Sequence, residues 1–197
     1  MLHAEVTNDN PTVDDLFLRF GEASFAMQAT KDGVPTLLVD RSQLLDVLRH
    51  LRPRFSMLLD LFAIDERLRQ NKPAGSRDFT VVYHLFDIPA REEIRVKASV
   101  SIEDPSLPSA VPIWPNANWY EREAWDMFGV TFTGHPNLRR ILLPPTWVGH
   151  ALRKDHPARA TEMEPFSITE EQQAQEQEAL LFRPEEWGMQ RATDDTE

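Results

Sequence analysis

Three groups of side chains in the second half of the chain have types and spacings that could do chemistry. Glu121 and Glu123 offer two carboxyl groups close in sequence, and general acid–base work on one bond needs two carboxyls that converge. Within a helix, positions i and i+2 point apart. A helical setting therefore makes them separate structural groups, with Arg122, Arg139 or Arg140 as expected ion-pair partners. His135, His150 and His156 suggest a metal, but their spacing matches no zinc pattern and no carboxylate or thiol stands regularly beside them. Single histidines of this kind more often satisfy a backbone group or a partner. Arg139-Arg140 and Arg153-Lys154 could clamp phosphate, yet no glycine-rich loop or strand–Gly–helix turn accompanies them. Arginines so placed are typical of protein contacts. No Ser/His/Asp order stands out, and the chain has no cysteine. Its own thiolates cannot ligate an iron–sulfur cluster, form a disulfide or act as a nucleophile.

These groups share one stretch, Trp114 to Pro157, with four of the five tryptophans and three of the six histidines. So many charges make poor core material, and so much aromatic area makes an odd free surface. The mixture predicts a surface covered by another molecule.

Charge supports a protein partner. The net charge is −11, and eleven acids against two bases from Glu162 onward supply −9 of it, which leaves the preceding 161 residues at −2. An acidic tail on a near-neutral body argues against a nucleic-acid partner, which rewards clustered Lys and Arg. The longest apolar run, Met57 to Ile64, is interrupted by Asp60 and falls far short of the ~20 residues a membrane span needs. The N-terminus, with Glu5, Asp9, Asp14 and Asp15, has no secretory pattern. A soluble intracellular chain without a direct membrane span is expected.

The elements that must position the stretch come first in the chain. Thr12 is read as the cap of a helix with Val13, Leu16, Phe17 and Phe20 inward and Gly21 at its end. Phe25–Gln28 and Thr36–Val39 read as a hairpin around Lys31-Asp32-Gly33. Ser42 is read as the cap of a second helix with Leu44, Leu45, Val47, Leu48 and Leu51 inward, stopped by Pro53. Phe55–Ile64, Phe79–Ile88 and Glu93–Ile102 read as strands. In the last, Ile94, Val96, Ala98 and Val100 alternate with Glu93, Arg95, Lys97 and Ser99. One dry and one wet face predict an α+β fold: two layers, a mainly antiparallel sheet with helices on one face.

A proline-rich connector, Asp104–Pro112, leads to a helix over Trp119–Phe128 with Gly129 at its end, on which Arg122 and Asp126 can pair. Pro136, Pro144, Pro145 and Pro157 then forbid long regular structure, so an extended segment that needs an outside surface is expected. The expected division is a flexible N-terminus at 1–11, the α+β domain at 12–130, a partner-wrapping docking strip at 131–161 and an acidic tail or connector at 162–197. The tail carries one polar helix, Glu170–Leu181, and two aromatic anchors, Phe182 and Trp187.

The run E-R-E-A-W-D-M-F at 121–128, followed by His135, Arg139 and the apolar Ile141-Leu142-Leu143, closely resembles the signature of the 30-kDa (C) subunit family of respiratory complex I, the proton-translocating NADH:quinone oxidoreductase. The likeness continues through Trp147, Gly149 and Leu152-Arg153-Lys154-Asp155. Ala151 and His156 stand where proline and an aromatic residue are usual. The resemblance implies a peripheral-arm subunit on the cytoplasmic face of the inner membrane, with no cofactor of its own. FMN, iron–sulfur clusters and quinone belong to neighbouring subunits. It implies packing on the D and B subunits, which form the quinone site, and a structural or assembly role in electron transfer from NADH, without activity in the isolated chain. Trp187-Gly188-Met189 is similar to the connector of polypeptides in which the C and D portions are fused. Two other readings stay open: His135 or an arginine in a quinone or proton path, and the equivalent subunit of a related membrane-bound hydrogenase. On the family reading, Trp119, Tyr120, Glu121, Arg122, Glu123, Trp125 and Asp126 form the packed junction. Gly134, His135, Pro136, Arg139 and Arg140 turn and anchor the strip, and Trp147, Arg153, Lys154 and Asp155 carry it over the partner.

Overall fold

The computed structural model describes residues 10–157 and, in the tail, residues 170, 171, 174 and 177. Helix α1 (Pro11–Phe20) opens at Asn10, whose side chain accepts the backbone N–H groups of Thr12 and Val13. Thr12 is not the cap, because its hydroxyl takes Arg54 Nη1 at 2.5 Å. Strands β1 (Phe25–Met27) and β2 (Thr36–Val39) form the expected antiparallel hairpin. Helix α2 (Leu44–Leu51) has no side-chain cap. Asp40 Oδ1 instead holds Ser42 through both its N–H and its hydroxyl, at 2.9 and 2.7 Å.

Strands β3 (Met57–Asp65), β4 (Phe79–Asp87) and β5 (Glu92–Val100) complete a sheet of order β1-β2-β5-β4-β3, in which the β2–β5 pair is parallel and the rest antiparallel. Strand β3 starts later than its apolar pattern suggests, because the Phe55 N–H still bonds Leu51 O and closes the end of α2. The β4–β5 turn places Arg91 at φ 57 and is tied down by Arg54, which reaches Asp87 and Glu92.

Alternation in β5 is as expected: Ile94, Val96, Ala98 and Val100 are buried and the intervening residues are half-buried. They share one core with Val13 and Leu16 of α1 and Leu44, Val47, Leu48 and Leu51 of α2. Helices therefore line the dry face, and the architecture is a mixed α+β fold.

Past the sheet, the connector holds a short strand that its prolines conceal. Strand β6 (Ser106–Pro108) pairs in parallel with β7 (Thr131–Thr133), which flanks helix α3 (Ala117–Phe128) on its other side. Trp114 is buried between them and donates its indole N–H to Phe55 O at 3.3 Å. Helix α3 lies along β3, the edge of the sheet. There a register shift between Leu58 and Asp60 turns carbonyls outward. Asn116 Nδ2 donates to Leu58 O and Tyr120 Oη to Leu59 O, at 2.9 and 3.2 Å. The edge is thus closed by side chains.

Candidate interface site

The residues from α3 to Pro157 form one hydrogen-bonded unit built on two carboxylates. Asp126 sits in the last turn of α3 with no exposed surface. Its Oδ2 accepts the backbone N–H groups of Ile141, Leu142 and Leu143 at 3.0, 2.9 and 3.0 Å. Its Oδ1 accepts Arg140 Nη1 at 2.6 Å. Three successive N–H groups converging on one anion make a nest. Burial alone would raise this carboxyl, but the Leu143 N–H, the Arg140 guanidinium and the Leu142 and Ile141 N–H groups bring it below its ordinary value. A proline-interrupted segment has no ladder to satisfy its N–H groups, and here a helix side chain does so.

Arg140 carries the contact onward. Its Nη2 donates to Trp147 O and Gly149 O at 2.8 and 2.9 Å, and its guanidinium lies over the Trp125 ring. Arg122, buried on α3, donates to Arg139 O and Arg140 O at 3.1 and 3.0 Å and lies over the Trp119 ring. Both members of the expected Arg122–Asp126 pair thus hydrogen-bond to the strip.

The second anchor is one that no sequence pattern singles out. Asp65 ends β3 on the buried side and accepts the Lys154 N–H at 2.8 Å. Arg67 bridges it to the strip, binding Asp65 through Nε at 3.0 Å and Asp155 through Nη1 and Nη2 at 2.9 and 3.0 Å. Bonds to Arg67 hold the Asp155 carboxyl well below the usual range. The guanidinium groups of Arg67 and Arg153 both lie on the Phe79 ring. The sequence offers only a strand ending in Asp with Arg two residues later, and that reads equally as a solvated loop.

His135 and His150 are hydrogen-bonded within the chain, whereas His156 packs against the Trp147 ring with a buried Nε2 that has no hydrogen-bond partner among the described residues. His135 donates from Nε2 to Asn118 O at 3.2 Å and accepts the Asn137 N–H on Nδ1 at 3.0 Å. Burial lowers its pKa from the ordinary value. Both ring nitrogens are committed, which leaves no lone pair for a metal. His150 donates from Nδ1 to Asp126 O at 3.0 Å and stands edge-on to Trp125. Its ring also lies where a side chain at Gly129 would be, 2.7 Å from an ideal Cβ, so the left-handed glycine that ends α3 is required twice over. Among the described residues no group of three potential ligands could hold a metal.

Glu121 and Glu123 diverge, as helical geometry requires: Glu123 is exposed and Glu121 is fully buried. Among the described residues the hydrogen-bond partners of Glu121 are not arginines. It accepts the Ser109 hydroxyl at 2.7 Å and the Ala110 N–H at 2.6 Å, and so ties the connector to α3. Burial pushes its carboxyl up to about 7, against the pull of those two bonds.

Through Pro157 the strip therefore has an ordering surface within its own chain, on α3 and the end of β3. Its outward side carries Leu142 at 59%, Val148 at 84% and Leu152 at 53% exposure, beside the exposed Lys154 and Asp155, and Trp119 of α3 is 47% exposed. Gly134 (φ 82) and the exposed Pro136 make the turn out of β7. Glu170, Glu171, Ala174 and Gln177 are helical and exposed, within the expected tail helix. Phe182, Trp187 and residues 1–9 lie outside the described residues. No helix among the described residues is long and apolar enough to cross a membrane.

A family model described as respiratory-chain NADH dehydrogenase, 30 Kd subunit, matches residues 37–162. The chain is 53% identical over 192 residues to the fused C/D subunit of the NADH-quinone oxidoreductase of Cronobacter sakazakii, covering 94% of this chain and 32% of that protein. To the corresponding C/D protein of Chromohalobacter salexigens it is 52% identical over 199 residues, covering 99% and 33%. It thus spans about a third of the length of these curated relatives. Among solved structures it resembles the trypsin-resistant fragment (1-134) of Nqo5, with a TM-score of 0.57 and 27% identity over 64% of this chain and 99% of that one. A component of the membrane-bound sulfane sulfur reductase, an archaeal respiratory membrane complex, shares the fold at a TM-score of 0.55 and 20% identity, over 80% of this chain and 94% of that one.

Proposed function

Because the chain belongs to the family of the 30-kDa subunit of respiratory-chain NADH dehydrogenase, we propose that it serves as a non-redox structural and assembly subunit of NADH:quinone oxidoreductase. On this reading it lies in the peripheral arm on the cytoplasmic face of the inner membrane. It packs on the subunits that form the quinone site, chiefly D and B, while FMN, iron–sulfur clusters and quinone are held by its neighbours. The observation that carries the reading is the strip: its backbone is tied to α3 and β3, and it exposes Leu142, Val148 and Leu152 while Trp119 of α3 is also half exposed. A segment fixed by internal charges that exposes several large apolar side chains is suited to dock a partner rather than to bind a small ion. The commitment of both His135 nitrogens argues against that residue in a proton path.

The test is assembly in a reconstituted complex. Replacing Val148 and Leu152 by serine should leave the folding of the chain intact and lower its recovery with the D and B subunits. Alanine at Arg139 and Arg140 should also reduce assembly, with quinone affinity unchanged in whatever assembles. Normal assembly with altered quinone kinetics would move these residues to the active site. The relatives named C/D suggest that the native polypeptide continues into a D portion, and an intact mass no greater than these 197 residues account for would reject that.

A further inference from the structure

Glu121 has no place in the docking surface, yet among the described residues it is the one carboxylate of α3 buried without a cation. Its hydrogen-bond partners there, the Ser109 hydroxyl and the Ala110 N–H, are neutral. Ser109 also accepts the Val111 N–H and donates its own N–H to Thr133 O, while Ala110 O receives the Ile113 and Trp114 N–H groups. One carboxyl thus pins a connector that joins β6, β7 and the Trp114 anchor. The groups facing it do not compensate a charge. From β4 comes Tyr83, whose buried hydroxyl has no hydrogen-bond partner among the described residues and is influenced by Glu121. From the residue that follows α2, Arg52 reaches the connector at Ile113 O. Arg122 and Asp126 of its own helix turn to the strip, and His135 is bound to Asn118. An isolated buried carboxylate is strongly disfavoured unless it is paired or neutral.

We propose that Glu121 is a proton-operated clamp: as a neutral acid, with its proton on Oε2 donated to Ser109 Oγ and the Ala110 N–H accepted on Oε1, it holds the connector Ser109–Val111 on α3, and without that proton the junction opens to hydrate the charge. The sign follows from linkage. A carboxyl raised from 4.5 to about 7 binds its proton more tightly folded than unfolded. Its stabilising contribution is complete below the unfolded value and is lost as pH rises through the folded one. The clamp is independent of which partners the strip meets, so it stands or falls separately from the assembly reading.

The experiment follows amide exchange of Ala110, Ile113 and Trp114 in the full chain from about pH 5 to about pH 8, corrected for base catalysis, in wild type and Glu121→Gln. Wild-type opening should rise by up to about tenfold per pH unit between the unfolded value of 4.5 and about 7, and level off above it. The glutamine variant, which mimics the neutral acid, should show no such rise. A wild-type profile as flat as that of the variant overturns the proposal. Should the variant not fold, carbon-13 titration of the Glu121 carboxyl in wild type decides. A midpoint near neutrality supports the clamp, and one near the ordinary value of about 4.3 rejects it.

Discussion

The sheet and the strip are two solutions to the same difficulty, the satisfaction of backbone polar groups away from water. In β3, β4 and β5 the strands satisfy one another, and side chains need only alternate. In residues 134–157 no ladder exists, so carboxylates of α3 and β3 do that work: Asp126 for three consecutive N–H groups and Asp65 for a fourth. Apolar area holds the first region and buried charge the second. The first should tolerate conservative repacking; the second should fail at single atoms.

The largest expected effect breaks the comparison at its charged end. Asp126→Ala leaves Arg140 buried and three N–H groups unpaired, which should cost about 3–5 kcal/mol. Hydrogen exchange should show the loss at Ile141–Leu143 with β4 and β5 still protected. Uniform loss across the sheet would mean that the two regions are one cooperative unit. Leu85→Ala, in the core between β3 and β5, should cost about 2–5 kcal/mol and lower protection everywhere; denaturant unfolding measures it. Gly129→Ala forces a side chain into a left-handed position and against His150, for about 1–3 kcal/mol, read as earlier thermal loss of strip signals. The smallest effect sharpens the contrast by pH. His135 and His150 are half-buried with pKa values lowered from the ordinary 6.5 by that burial, so their contribution is intact above 6.5 and falls away as pH drops through the folded values. Acid should therefore loosen the strip and leave the sheet; NMR of the Trp125 and Trp147 indoles against β5 amides checks this.

Legibility divides along the same line. Strand alternation and helical spacing are periodic signals, and β5, α2 and the Gly129 stop can be read directly. Caps cannot, because Thr12 and Asn10 are both good caps and the choice is made by Arg54, distant in sequence. Strand β6 is hidden because its pairing partner lies across α3 and its composition is that of a loop. At the site, the residue set is legible and its wiring is not. Glu121, Arg122 and Asp126 share one helix, but Glu121 serves the connector and the other two the strip, and periodicity carries no information about that choice. The Asp65–Arg67–Asp155 bridge joins residues far apart in sequence, beyond the reach of any local pattern.

The covering of the β3 edge by Asn116 and Tyr120 has a consequence for the life of the chain before it meets anything else. A nine-residue border strand left bare would recruit its own kind. With its carbonyls at Leu58 and Leu59 already occupied, a newly made copy offers a second strand fewer acceptors at that edge.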